Sequence, residues 1–151
     1  MTTKTMRRHD ARIMALSALF CWEVGKFSPE EAFSGVARDF FDAPGAADKV
    51  THYNYAGKLF LAAVNNVSEI DNAISRASQG WPISRMPRID LSILRLALAE
   101  ANYLKEVPLE VVIDEALELS KEFSTHASPR FVNGVLMGIF REMGYVPKST
   151  K

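Results

Sequence analysis

The stretch from Ile89 to Leu104 is apolar on nearly every side of a helix: Ile89, Leu91, Ile93, Leu94, Leu96, Leu98 and Leu104 leave little room for a wet face. Such a segment has to be covered by other elements all round, so it predicts a helix in the middle of a bundle. Elsewhere apolar residues recur at helical spacing almost throughout, and the alternating pattern of a half-buried strand is absent. The expected fold class is all-α, with about seven helices.

Local signals place the helices. In the first, over 7–25, Ile13, Leu16, Phe20 and Val24 form one stripe. Ala11, Ala15, Ala18 and Trp22 form a neighbouring one, whose alanines allow another helix to approach closely. Gly25 terminates it, and Ser28 with Pro29, Glu30 and Glu31 starts a second helix that ends before Ala43-Pro44-Gly45. A third is expected over 47–64, with Tyr55, Leu59 and Ala62–Ala63 inward, and a fourth over 67–78, using Ile70 and Ile74. Gly80-Trp81-Pro82 is a break before the central helix. Pro108 opens the next helix, with Leu109, Val112, Ile113, Ala116, Ser120 and Phe123 facing inward. Its charged residues Glu110, Asp114, Glu118, Lys121 and Glu122 read as solvated surface. Ser128 and Pro129 start the last helix, whose stripe is Val132, Val135, Leu136, Ile139 and Met143, and the tail from Val146 is expected to be loose.

With 151 residues the chain suits one compact domain, or two small helical bundles sharing a core, and no linker separates independent units. Lys+Arg and Asp+Glu both total 18, so the net charge is zero and an anionic partner would need a local basic patch. The single cysteine, Cys21, sits among apolar residues; it reads as a small buried hydrophobe in a reducing compartment. The N-terminus has no uncharged apolar run of signal-peptide type, and no stretch approaches the roughly 18 apolar residues of a membrane span. A cytoplasmic protein with no membrane partner is expected.

His9, His52 and His126 are far apart in sequence and lack ligand partners at helical spacing. There is no His-Glu-x-x-His, paired Cys-x-x-Cys, phosphate-cradling glycine loop or nucleophile elbow. Acidic pairs such as Asp114 and Glu118 lie on a polar helix face, which favours solvated surface over an acid–base dyad. The expectation is a protein without catalytic residues, metal or cofactor, and not an enzyme.

One feature breaks a local rule. Lys4, Arg7, Arg8 and Arg12 crowd the start of the first helix against one acid, Asp10, a local charge of +3 over residues 1–12. Cations there oppose the helix dipole, by roughly 0.3–1 kcal/mol each when exposed. A broken rule without local compensation points to a functional site. Arg8 and Arg12, four apart, share a face along which a phosphate chain could lie; a solvated basic terminus is the competing reading. The start of the last helix has a similar character. Arg130 follows the polar loop Ser124-Thr125-His126-Ala127-Ser128, and Phe131 stands beside it. Free backbone N–H groups, an arginine and an aromatic ring suit a phosphate and an unstacked base, although Phe131 taken alone also reads as core.

Four segments in order resemble the NusB family. They are Arg8-His9-Asp10-Ala11-Arg12 with Ala15-Leu16 and Ala18-Leu19-Phe20-Cys21-Trp22-Glu23; Arg88-Ile89-Asp90-Leu91-Ser92-Ile93-Leu94-Arg95-Leu96-Ala97 with Glu100; Val111 to Lys121; and Ser128-Pro129-Arg130-Phe131-Val132-Asn133-Gly134-Val135-Leu136. The match runs in register over about 7–140.

The resemblance implies an all-helical fold of two packed subdomains, about 7–78 and about 82–144, within one domain. It implies an RNA-binding transcription antitermination factor acting on the boxA element of ribosomal-RNA transcripts. The partners would be the small-subunit ribosomal protein NusE and the transcription elongation complex, with a homodimer as a further possibility. The RNA contacts carried over are Arg7, Arg8, Arg12, Phe20, Ser128, Arg130 and Phe131; the NusE contacts are Met86, Arg88 and Asp90. Four departures bear on RNA affinity and sequence preference: His126-Ala127 where the family has an acid, Asp114 for a common asparagine, Phe20 for a frequent tyrosine, and fewer basic residues before Arg12 than in the richest members. Two other functions remain open at this point, an accessory helical domain for an RNA methyltransferase and a protein–protein module without RNA binding.

Overall fold

The computed structural model describes residues 8–42 and 50–147. Seven α-helices lie among them: α1 (Arg8–Gly25), α2 (Pro29–Asp42), α3 (Val50–Asn65), α4 (Val67–Ala77), α5 (Arg88–Ala99), α6 (Leu109–Phe123) and α7 (Ser128–Glu142). A 3-10 turn, Ile83–Arg85, precedes α5, and α5 runs on into a π-helical turn, Glu100–Leu104. No strand occurs among the described residues, and none of their helices is long and apolar enough to cross a membrane.

The helix starts follow their sequence signals. Ser28 Oγ accepts the Glu31 N–H at 3.1 Å while Glu31 Oε1 accepts the Ser28 N–H at 3.0 Å, a reciprocal capping box in front of α2. The Pro108 carbonyl accepts the first N–H bonds of α6, from Val111 and Val112. Lys105 closes the π turn with φ 58°, its N–H bonded to the Glu100 carbonyl at 3.0 Å. The sequence predicts one uninterrupted helix over 89–104; its last turn is instead wound wider.

As predicted, α5 is the central helix, and every residue from 90 to 101 is buried. It packs on α1, α3, α4, α6 and α7. The polar residues within that buried stretch are therefore enclosed as well, and each finds a partner. Arg95 forms a bidentate pair with Asp71 of α4 (2.9 and 2.8 Å) and reaches Glu23 of α1 at 2.7 Å. Ser92 Oγ donates to the Arg88 carbonyl at 2.9 Å. Hydrogen bonding from Arg95 first, then Arg88, holds the Glu23 carboxyl below the ordinary range against the opposing effect of burial.

The inner faces are largely the expected ones, with corrections at helix edges and ends. On α1 the alanine stripe lies deepest, with Ala11, Ala15 and Ala18 fully buried, because their small side chains let α3 and α5 come close. Ile13 and Phe20 are only partly buried, and Val24 is exposed. Phe123 and Met143, expected inside, are exposed at the last turns of α6 and α7, beyond the packed surface. Cys21 is half-buried against the core rather than enclosed.

Candidate nucleic-acid interface

The basic start of α1 meets acids from other elements, so the dipole rule broken in sequence is compensated in space. Arg8 pairs with Glu106 at 3.3 Å, and its guanidinium carbon lies 4.5 Å from the centre of the Tyr55 ring. His9 is clamped between two carboxylates of α6, Nδ1 on Glu115 at 2.7 Å and Nε2 on Glu122 at 3.0 Å. Burial disfavours its charged form, but the hydrogen bonds and charges of Glu115 and Glu122 outweigh that and raise its pKa above 6.5. Glu122, read from sequence as solvated surface, is thus a partner of α1.

Arg12, an expected RNA contact, has its guanidinium occupied within the protein. It is 4% exposed and lies flat against Glu100, with Nε to Oε1 at 2.8 Å and Nη2 to Oε2 at 2.7 Å. The Tyr55 hydroxyl donates to Glu100 Oε2 at 2.5 Å, and burial with this bond pushes its phenol pKa up. The shared face of Arg8 and Arg12 is therefore no continuous phosphate track, because Arg12 faces inward to neutralise a buried glutamate. Arg7, expected beside them, lies outside the described residues.

At the start of α7 the hydroxyl of Ser128 is also taken. The residue is 1% exposed, and its Oγ donates to Asp90 Oδ2 at 2.9 Å. Ser124 Oγ donates to Asp90 Oδ1, and Thr125 Oγ1 lies 2.9 Å from Ser128 Oγ. Ser128 is the first residue of α7 and is tied to α5 through Asp90; Ala127 holds the cap position. Arg130 is exposed and forms no ion pair among the described residues. Phe131 is half-buried against the core and, with Trp81, Pro87 and Thr125, lines a recess of about 230 Å³. Trp81 is 47% exposed at its mouth. Both readings of Phe131 thus have a share in the geometry. Phe20 is partly exposed on α1.

The three residues expected to meet a protein partner behave differently from one another. Met86 is 2% exposed and belongs to the core, and Asp90 is 3% exposed and bonded to Ser124 and Ser128. Met86 packs into the core just before α5, and the Asp90 carboxylate is taken up by the two hydroxyls at the floor of the recess beside Phe131. Arg88 is half-buried, pairs with Glu23 at 2.9 Å and donates to the Ile83 and Met86 carbonyls.

Several residues that organise this surface were not singled out from sequence. Glu100, present in the sequence only as part of a matching segment, carried one usable signal: an acid within a nearly all-apolar helix needs a buried partner, though its spacing does not say which cation supplies it. Lys58 and Glu106, which pair at 2.9 Å beside Arg8, gave none, since single charges in a polar stretch look alike.

The model of the NusB family matches residues 9–141 of this chain. A transcription antitermination protein NusB from Desulforamulus reducens is 38% identical over 131 residues, covering 87% of this chain and 87% of its own. Among solved structures, T. maritima NusB superimposes with a TM-score of 0.79 at 29% identity, over 91% of this chain and 93% of that one. A structure of the antitermination factors NusB and NusE in complex with dsRNA gives a TM-score of 0.77 at 29% identity, covering 91% and 99%. The helix order, the buried α5 and these matches lead to one family: the chain belongs to the NusB family.

Proposed function

We propose that this protein is an RNA-binding transcription antitermination factor that acts without turnover. It would recognise the boxA element of ribosomal-RNA transcripts together with NusE, in the elongation complex of the cytoplasm. The observation that carries this reading is its likeness, over 91% of the chain, to a NusB solved with NusE and dsRNA. The RNA surface we assign comprises Arg7 and Arg8 at the start of α1, Phe20 on the same helix, and Arg130 with Phe131 at the start of α7. Arg8 and Arg130 are exposed cations suited to phosphates, and the rim of Phe131 with Trp81 offers aromatic faces to an unstacked base. Arg12 and Ser128 hold these groups in place from below. Arg88 is the accessible member of the surface assigned to NusE.

A second reading, a helical protein–protein module without RNA binding, is favoured by one observation: Arg8, His9 and Arg12 are each matched by an acid. Filter-binding titrations of boxA and scrambled RNA, with and without NusE, separate the two. Tighter binding of boxA than of the scrambled RNA, strengthened by NusE, supports the antitermination reading. Binding to NusE with no RNA retained at low salt supports the module.

A further inference from the structure

We infer that Arg8, Lys58 and the Tyr55 ring form a seat for one backbone phosphate of RNA, and that the Glu106 carboxylate occupies this seat in the free protein until RNA displaces it. The inference rests on the RNA-binding reading above and adds a residue of α3 and an internal competitor to it. The geometry is that of one anion held by two cations from separate helices. Glu106 Oε1 takes Arg8 Nη2 at 3.3 Å, and Oε2 takes Lys58 Nζ at 2.9 Å. Both cations lie over the same ring, Arg8 at 4.5 Å and Lys58 at 5.8 Å from its centre. That ring is fixed: Tyr55 is 7% exposed and its hydroxyl is anchored on Glu100. A buried aromatic face holding two like charges side by side creates a standing demand for an anion between them.

What makes the occupant exchangeable is its exposure. The side chains of Arg8, Lys58 and Glu106 are 41%, 58% and 36% exposed, and Glu106 lies on the connection between the π turn and α6. An exposed ion pair is weak, so replacing a carboxylate by a phosphodiester of the same single charge costs little, and Glu106 is rehydrated as it leaves. One turn further along α1, Arg12 and Glu100 form a similar fork at 4% and 2% exposure, where no ligand can enter. Two cations facing one anion leave the seat net positive. The Lys58 hydrogen bond, followed by the charges of Lys58 and Arg8, holds the Glu106 carboxyl below its ordinary range.

The test is Glu106→Gln in the full chain, with RNA affinity measured by filter binding across a salt series and thermal melting in parallel. The expected result is about two- to fivefold tighter binding of boxA and scrambled RNA alike, the range set by releasing exposed ion pairs, with an unchanged melting temperature. Lys58→Gln should weaken binding and lower the log–log salt slope by roughly 0.7, the value for one single-strand phosphate contact. In an Arg8→Gln/Lys58→Gln background, Glu106→Gln should no longer tighten binding. If the parent binds RNA and Glu106→Gln binds it no better, the seat is refuted while the RNA reading stands. If neither protein retains RNA at low salt, the RNA reading falls and takes the seat with it.

Discussion

Replacing Arg12 by alanine separates a contact residue from a structural one. Glu100 is 2% exposed and receives three hydrogen bonds, two from Arg12 at 2.8 and 2.7 Å and one from Tyr55 at 2.5 Å. Arg12→Ala removes two of them and, among the described residues, the only full positive charge in contact with the carboxylate, leaving a buried anion held by one phenol. Removing one partner of a buried ion pair typically costs about 3–5 kcal/mol. A chain of this size has a total stability of about 5–15 kcal/mol, so the loss is a large part of the whole. At an m-value of about 2 kcal/mol/M the urea midpoint should fall by about 1.5–2.5 M, read from helical circular dichroism. Arg8→Ala, four residues away at 41% exposure, should leave the midpoint nearly unchanged. A double variant, Arg12→Leu/Glu100→Met, removes both charges and should recover much of the loss. If Arg12→Ala shifts the midpoint by less than the equivalent of about 1 kcal/mol, the buried-pair reasoning is wrong.

Leu94 is fully buried on α5, so Leu94→Ala should destabilise by about 2–5 kcal/mol in the same assay, and a loss below about 1 kcal/mol would mean the helix is not central. His9, with its folded pKa raised above 6.5, gives stability that is complete below the unfolded value and lost as pH rises through the folded one. An NMR titration should place its midpoint above 6.5 in the parent, and His9→Gln should abolish the associated pH dependence of unfolding; a midpoint at or below 6.5 contradicts the clamp. Asp90→Ala removes the acceptor shared by Ser124 and Ser128 and should cost about 1–3 kcal/mol, with faster amide exchange over 125–128; unchanged exchange there would show that Asp90 does not hold the loop. Phe131→Ala should lower RNA affinity by about 1–3 kcal/mol with little change in salt slope if the ring stacks on a base, whereas a drop confined to the melting temperature assigns it to the core.

What the sequence determined by itself was whatever repeats along the chain. Helical class, the number and order of helices, the capping box at Ser28 and the central place of α5 are all written in local spacing. Spacing survives folding because each helix presents its own stripe regardless of its neighbours. Four ordered segments were enough to indicate the family. Tertiary structure decided where each charge ends. Arg8 and Arg12 stand on one helix, four residues apart, and nothing in their local sequence distinguishes them. Yet one lies at the surface over Tyr55, and the other is buried against Glu100, 88 residues away. Asp90 likewise has the appearance of an N-terminal helix acid in sequence, but the loop before α7 folds over it and turns it inward. The reason is that a charged side chain is buried only where another element supplies a counter-charge or hydrogen-bond donors, and the packing of the helices and loops against one another settles which elements meet.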